Sequence, residues 1–270
     1  MRLSRRSQEG RVVSDQTQAP AVIVEQCDRV LVVTINRPEA RNAVNTAVSQ
    51  GLADAMDRLD SSADLSVGVL TGAGANFCAG MDLKAYLAGE AIAVDGRGLG
   101  FTEAPPRKPV IAAVEGFALA GGAELALATD LIVASRTAAF GLPEVKRGLV
   151  AGGGGLLRLP RRIPYQVAME LALTGENFSA ELGFRYGLIN RLVEPGEALA
   201  GALELAARIC RNGPLAVAAT KQIIVESSGW TDAEAFDRQR DVLEPVFDSQ
   251  DAREGAEAFA QKREPVWAGK

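Results

Sequence analysis

The 270-residue sequence contains no histidine. That absence removes every mechanism built on a Ser-His or Cys-His dyad, an HExxH zinc site or an imidazole proton shuttle. Acid–base chemistry therefore falls to carboxylates, tyrosine, lysine or cysteine. Cysteine is scarce as well. Cys27, Cys78 and Cys210 lie far apart, in neither the spacing of a metal site nor the paired pattern of a small disulfide scaffold, and are expected to be buried free thiols. Long apolar runs are also missing, because the best candidates are cut by Glu115, Glu124 and Asp130, short of the ~18 residues that a membrane-spanning helix needs. There is no excess of positive charge: 29 Lys and Arg stand against 34 Asp and Glu, a net charge of −5. Such a chain has no global field for a nucleic-acid backbone and no polybasic membrane signal, so neither partner is expected. The basic opening Met1-Arg2-Leu3-Ser4-Arg5-Arg6-Ser7 is followed by no apolar segment, which argues against a secretory or twin-arginine signal. A cytoplasmic protein with a disordered tail over residues 1–20 is expected, the alternative being a short organellar transit peptide, against which Glu9 and Asp15 count.

What is present is a chain 47% hydrophobic, long enough for one large domain or a domain with an appendage. Val22-Ile23-Val24, a turn near Asp28 and Val30 to Ile35 read as a β-hairpin. After Asn45, a plausible N-cap, Val48, Leu52, Met56 and Leu59 recur at helical spacing. Val67 to Thr71 is then a short apolar strand. Strand, helix, strand repeats with Val110 to Val114, a helix from Gly122 to Ala128, and Leu131 to Ala134, which is the grammar of an α/β core. Between the units, Gly89 to Pro109 is rich in glycine and proline and reads as a mobile segment near a site. Beyond Pro164 the pattern is helix after helix, over Tyr165 to Thr174, Ala180 to Tyr186, Ala198 to Arg211, Pro214 to Ser228, Asp232 to Val246 and Asp251 to Lys262. A core over 21–195 and a helical region over 196–270, serving as a lid or an oligomer interface, are expected.

Two glycine-rich segments do not carry the usual phosphate signatures. Gly72-Ala73-Gly74-Ala75-Asn76-Phe77 has phenylalanine where a dinucleotide fingerprint needs its third glycine. Gly152 to Gly155 lacks the Gly-Lys-Ser/Thr ending of a P-loop and reads as a tight turn or a place where backbone approaches a ligand. Two others suit chemistry better. Ala79-Gly80-Met81-Asp82-Leu83-Lys84 and Ala120-Gly121-Gly122-Ala123-Glu124 each lead into a helix, where the first amides have no partner and the dipole is positive. They are either an oxyanion hole in two halves or plain tight connections. Glu124 sits one turn into an apolar helix, where a carboxylate is costly unless paired or used. Glu144, after Pro143, is either a solvated loop acid or its acid–base partner.

Together these segments resemble the enoyl-CoA hydratase/isomerase family, the crotonase superfamily, from about Ala21 to Lys262. The motifs are Asn36-Arg37-Pro38-Glu39-Ala40-Arg41-Asn42-Ala43, Phe77 to Lys84, Ala113 to Glu124 and Phe140-Gly141-Leu142-Pro143-Glu144. The resemblance implies a spiral of repeated ββα units with a helical carboxyl-terminal region, assembled as a homotrimer or homohexamer. It implies an acyl-CoA thioester substrate and no cofactor, coenzyme A being part of the substrate. It assigns the oxyanion hole to the amides of Met81 and Gly121, and the water chemistry to Glu124 and Glu144. Arg41, Ala43, Ala79, Asp82, Leu83 and Lys84 would follow the CoA moiety, and Phe259 and Lys262 would lie near the adenine across a subunit boundary. Ala120 stands where many members have glycine. The expected reaction is hydration of a trans-2,3 double bond. The alternatives are a carnitinyl-CoA-type dehydratase, a double-bond isomerase, an acyl-CoA hydrolase, or a catalytically silent acyl-CoA-binding or RNA-binding member.

Overall fold

The computed structural model describes residues 19–270, so all but the last two residues of the expected tail lie outside the described part. The chain opens with the hairpin β1 (Val22–Cys27) and β2 (Val30–Ile35), turning at Asp28, whose φ of 51° is left-handed. Asn45 then caps α1 (Thr46–Ser61), its side chain accepting the Val48 amide at 3.1 Å. The next elements are β3 (Val67–Gly72), α2 (Leu83–Leu87), β4 (Val110–Val114), β5 (Phe117–Leu119), α3 (Gly121–Ala128), β6 (Leu131–Ser135) and β7 (Ala139–Gly141). There follow α4 (Gly155–Arg162), α5 (Tyr165–Thr174), β8 (Phe178–Ser179), α6 (Ala180–Arg185) and β9 (Arg191–Val193). Four helices end the chain: α7 (Ala198–Cys210), α8 (Pro214–Glu226), α9 (Ala235–Phe247) and α10 (Gln250–Gln261).

Six strands form the main sheet in the order β1-β2-β3-β4-β6-β9, parallel except for the β1–β2 hairpin. Period-two alternation divides its side chains. Leu31, Val33 and Ile35 join Val48, Leu52, Met56 and Leu59 of α1 in one core, while Val30 and Val32 join Val67, Val69, Ile111, Ala113 and Val133 in another. Ala198, Ala202 and Ala206 of α7 close that second face, so α7, grouped by its sequence with the appended helices, is a layer of the core. With both faces covered, the strands carry continuous apolar runs.

The second sheet, β5-β7-β8, is small. After β4 the chain makes β5 and α3, and after β6 it makes β7, so these two turns each give one strand to each sheet. This is the expected ββα spiral. The βαβ reading holds for β2-α1-β3 and, with β5 added before α3, for β4-α3-β6, both pairs being parallel; β5 and β7 have three residues each and are too short to show a period. The expectation for the cysteines is corrected. Only Cys78 is buried; Cys27 ends the sheet-edge strand β1 and is exposed, and Cys210 is intermediate.

Candidate active site

The two glycine turns meet because β5 runs beside the loop after β3. The Cys78 amide donates to the Phe117 carbonyl at 2.8 Å, and the Leu119 amide to the Cys78 carbonyl at 3.0 Å. The Ala120 amide donates to the Gly141 carbonyl at 2.9 Å, tying the same turn to β7 and hence to the chain that leads to Glu144. Close approach demands glycine at 122: a Cβ there would fall on the Cys78 carbonyl oxygen and 2.8 Å from its carbon. Ala120 holds φ 50° and ψ −126°, a conformation that glycine takes freely and alanine at a cost of about 1–3 kcal/mol. The strained turn leaves the Met81 and Gly121 amides side by side, a Cβ on Gly121 lying 3.6 Å from the Met81 nitrogen. Among the described residues neither amide donates to the protein. A helix N-terminus and a free loop amide thus lie side by side, an arrangement able to stabilise charge on a carbonyl oxygen.

Every residue of α3 is buried, including Glu124, which is 3% exposed. The glycine run 152–155 surrounds its carboxylate. The Gly155 amide donates to Glu124 Oε1 at 3.0 Å, and a Cβ on Gly153 would lie 2.8 Å from Oε2. The backbone at this run approaches a carboxylate of the protein itself. Desolvation pushes the Glu124 carboxyl above its ordinary range, against the Gly155 amide, and the charge of Glu144 adds to the rise. Glu144 lies in the 3₁₀ turn Pro143–Arg147 and is half-buried, its Oε2 enclosed with no hydrogen-bond partner. Burial raises its carboxyl too. The pair is thus poised for proton transfer nearer neutrality than ordinary carboxylates.

A cavity of about 490 Å³ joins these parts. Its walls include Ala79, Met81, Leu83, Gly121, Glu124 and Glu144, all named from the sequence, and also Leu99 and Glu103 of the glycine- and proline-rich segment. That segment is pinned at Phe101, which is fully buried, and at Thr102. Other expected residues stand elsewhere. Asp82 caps α2, accepting the Lys84 and Ala85 amides at 3.1 and 3.2 Å, and pairs with Arg37 at 2.9 Å. Arg37 also donates to the Ala43 carbonyl at 2.6 Å, so it braces the Met81 loop. Arg37 lies in the Asn36–Ala43 motif, but its bond to Asp82, 45 residues on, has no local signal in the sequence. Arg41 and Lys84 are exposed, and Ala43 is half-buried outside the cavity wall. Phe259, 88% exposed, and Lys262 sit at the end of α10, and neither lines the cavity. Burial pushes the Cys78 thiol up to about 12, so it is no nucleophile at neutral pH. Among the described residues no group of three or more His, Cys, Asp or Glu side chains is placed to hold a metal, and no helix is long and apolar enough to cross a membrane.

The model of the enoyl-CoA hydratase/isomerase family matches residues 25–270. The chain belongs to this family. Enoyl-CoA hydratase EchA19 of Mycobacterium tuberculosis is 44% identical over an alignment of 254 residues that covers 91% of this chain and 96% of that protein. A carnitinyl-CoA dehydratase of Salmonella heidelberg is 42% identical over an alignment of 250 residues that covers 89% of this chain and 95% of that one. The crystal structure of enoyl-CoA hydratase EchA1 from Mycobacterium marinum superposes with a TM-score of 0.93 at 67% identity, covering 93% of this chain and all of the other. The fold is the crotonase spiral, and membership supports hydratase-type lyase chemistry on an acyl-CoA thioester.

The raised Glu124 carboxyl also has a consequence for stability in this family member. Its folded-state value lies above the unfolded value of about 4.5, so the protonated side chain is no burden below that value, and stability is lost as pH rises through the folded value. Glu124→Gln cannot ionise. Its thermal midpoint is expected to rise relative to wild type between acidic and neutral pH, checked by thermal melts across that range; a constant difference would contradict a buried, costly charge.

Proposed function

We propose that the protein adds water across the trans-2,3 double bond of an enoyl-CoA thioester. The observation that carries the reading is the convergence, on one cavity, of two free amides and two carboxylates that burial raises. The thioester oxygen accepts from the Met81 and Gly121 amides, which withdraw electron density from C3. Glu124, whose charged form is favoured by the Gly155 amide, takes a proton from water as its oxygen bonds to C3. The π electrons move to C2 and the thioester oxygen, where the amides hold the negative charge. Glu144 then gives its proton to C2, completing the 3-hydroxyacyl-CoA. Solvent exchange returns Glu124 to its carboxylate and Glu144 to its acid.

The reverse reaction uses the same groups, and the carnitinyl-CoA dehydratase relative makes dehydration the second reading. An isomerase needs only one proton carrier, and two retained carboxylates favour hydration over it. A panel of short, long and branched enoyl-CoA thioesters, followed by the absorbance lost on hydration, tests the reading and ranks the acyl chains. Turnover of none would refute it.

Arg41, Ala43, Ala79, Asp82, Leu83 and Lys84 are proposed to follow the CoA moiety. Phe259 and Lys262 belong to the proposal through assembly: the exposed Phe236, Phe247 and Phe259 of α9 and α10 suit burial against a second copy. Light scattering is expected to give a trimer or hexamer, and a stable monomer would remove both residues from the site.

A further inference from the structure

Arg158, on α4, has no part in the proton transfers above, yet it touches two of the segments that build the site. One guanidinium nitrogen, Nη2, donates to the Thr102 carbonyl at 2.6 Å. The other, Nη1, donates to the Gly153 carbonyl at 3.4 Å, so the side chain spans from the glycine- and proline-rich segment to the turn that surrounds Glu124. At the far end of this span, the Thr102 hydroxyl accepts the Leu99 amide at 3.0 Å. The Leu99 side chain then reaches the reaction centre itself. Its Cδ1 lies 3.0 Å from where a Cβ on Gly121 would sit and 3.2 Å from the same point on Gly153. One cationic group therefore links the seat of Glu124 to an apolar side chain resting beside the Gly121 amide.

We propose that Arg158 is a positioning residue, whose guanidinium ties Thr102 to Gly153 and so fixes both the Glu124 carboxylate and the Leu99 side chain beside the Gly121 amide. The proposal rests on the hydration reading only where turnover is measured. Arginine suits the place because its planar head presents several donors at fixed angles, whereas lysine presents one point charge. Its charge also faces Glu124 and favours the ionised form, opposed by Glu144 from the neighbouring turn. Arg161, on the same helix, and Arg162, which is backed by Asp130, are the other charged groups that act with Arg158 here.

Three variants test it: Arg158→Met, Arg158→Lys and Thr102→Val. The readouts are the Glu124 carboxyl titration, followed by carbon-13 NMR of labelled glutamate and assigned with Glu124→Gln, and the pH profiles of kcat and KM on an accepted enoyl-CoA. Arg158→Met is expected to raise the Glu124 titration, with the acid limb of kcat moving in step. Its kcat is expected to fall about 10²-fold through displaced geometry. Arg158→Lys is expected to return the titration to its wild-type position while kcat stays depressed, because charge is restored and the two-point span is not. Thr102→Val, which leaves the arginine in place, is expected to lower kcat with the titration unmoved. A lowered thermal midpoint with titration and kcat unchanged in the arginine variants would mean a purely structural role and would overturn the proposal. If Arg158→Met does not fold, wild-type kinetics in both Arg158→Lys and Thr102→Val overturn it. The titration is read whether or not the protein hydrates anything, so failure of the functional reading and failure of this one are separate results.

Discussion

Glu144→Gln is expected to lower kcat for crotonyl-CoA hydration by about 10²–10⁴-fold, and Glu124→Gln by a similar factor, with both variants folded. Glutamine keeps the shape of each side chain and removes only the proton chemistry. At 144 the acid for C2 is lost from an oxygen that is enclosed and unpartnered in the chain, so no neighbouring group supplies the proton instead. At 124 the base for water is lost while the Gly155 amide keeps an acceptor. Because the carboxylates act as a unit, the double variant should be little slower than either single one. The wild-type rate should fall on both sides of an optimum: protonation of Glu124 removes the base at low pH, and ionisation of Glu144 removes the acid at high pH. With no histidine in the chain, an ionisation near neutrality belongs first to these carboxyls, both of which burial raises. Stopped-flow or steady-state absorbance assays check the rates, and either single variant turning over like wild type would remove that carboxylate from the mechanism.

Gly122→Ala separates sterics from helix propensity, because the two predict opposite signs. Gly122 lies in the first turn of α3, and propensity alone gives alanine an advantage of about 1 kcal/mol over glycine there. The structure predicts a loss. A Cβ would strike the Cys78 carbonyl, which is backbone and which accepts the Leu119 amide, so relief requires moving α3 away from the loop that carries Met81. The thermal midpoint is expected to fall, and kcat to drop about 10²-fold as the Met81 and Gly121 amides part. A raised midpoint with unchanged kcat would show that the approach of these turns is not required.

Much of the fold is readable from local patterns in the sequence. Val48, Leu52, Met56 and Leu59 announce the buried face of α1, Asn45 its cap, and the apolar runs the parallel strands. Glu124 stands out because a carboxylate in an otherwise apolar helix needs a reason, and Glu144 and the amides follow through motifs. Other features are not local. The strands β5 and β7 are too short to carry a period, and α4 is hidden by the glycines before it and by Pro160 within it. The glycine run 152–155 is conspicuous as sequence, but its role depends on Glu124, which comes from another turn of the spiral. Leu99 and Arg158 likewise gain their meaning from contacts with Gly121, Gly153 and Thr102, which no spacing rule connects. Phe259 and Lys262 show the opposite case, residues named through resemblance that the single chain leaves away from the cavity.

The most direct measurement of the central claim is the product formed from crotonyl-CoA in deuterium oxide enriched in oxygen-18, analysed by mass spectrometry and NMR. The account predicts 3-hydroxybutyryl-CoA with one solvent oxygen at C3 and one deuterium at C2, formed at a rate that collapses in Glu144→Gln. A shifted double bond without oxygen uptake, or release of free coenzyme A, would contradict it.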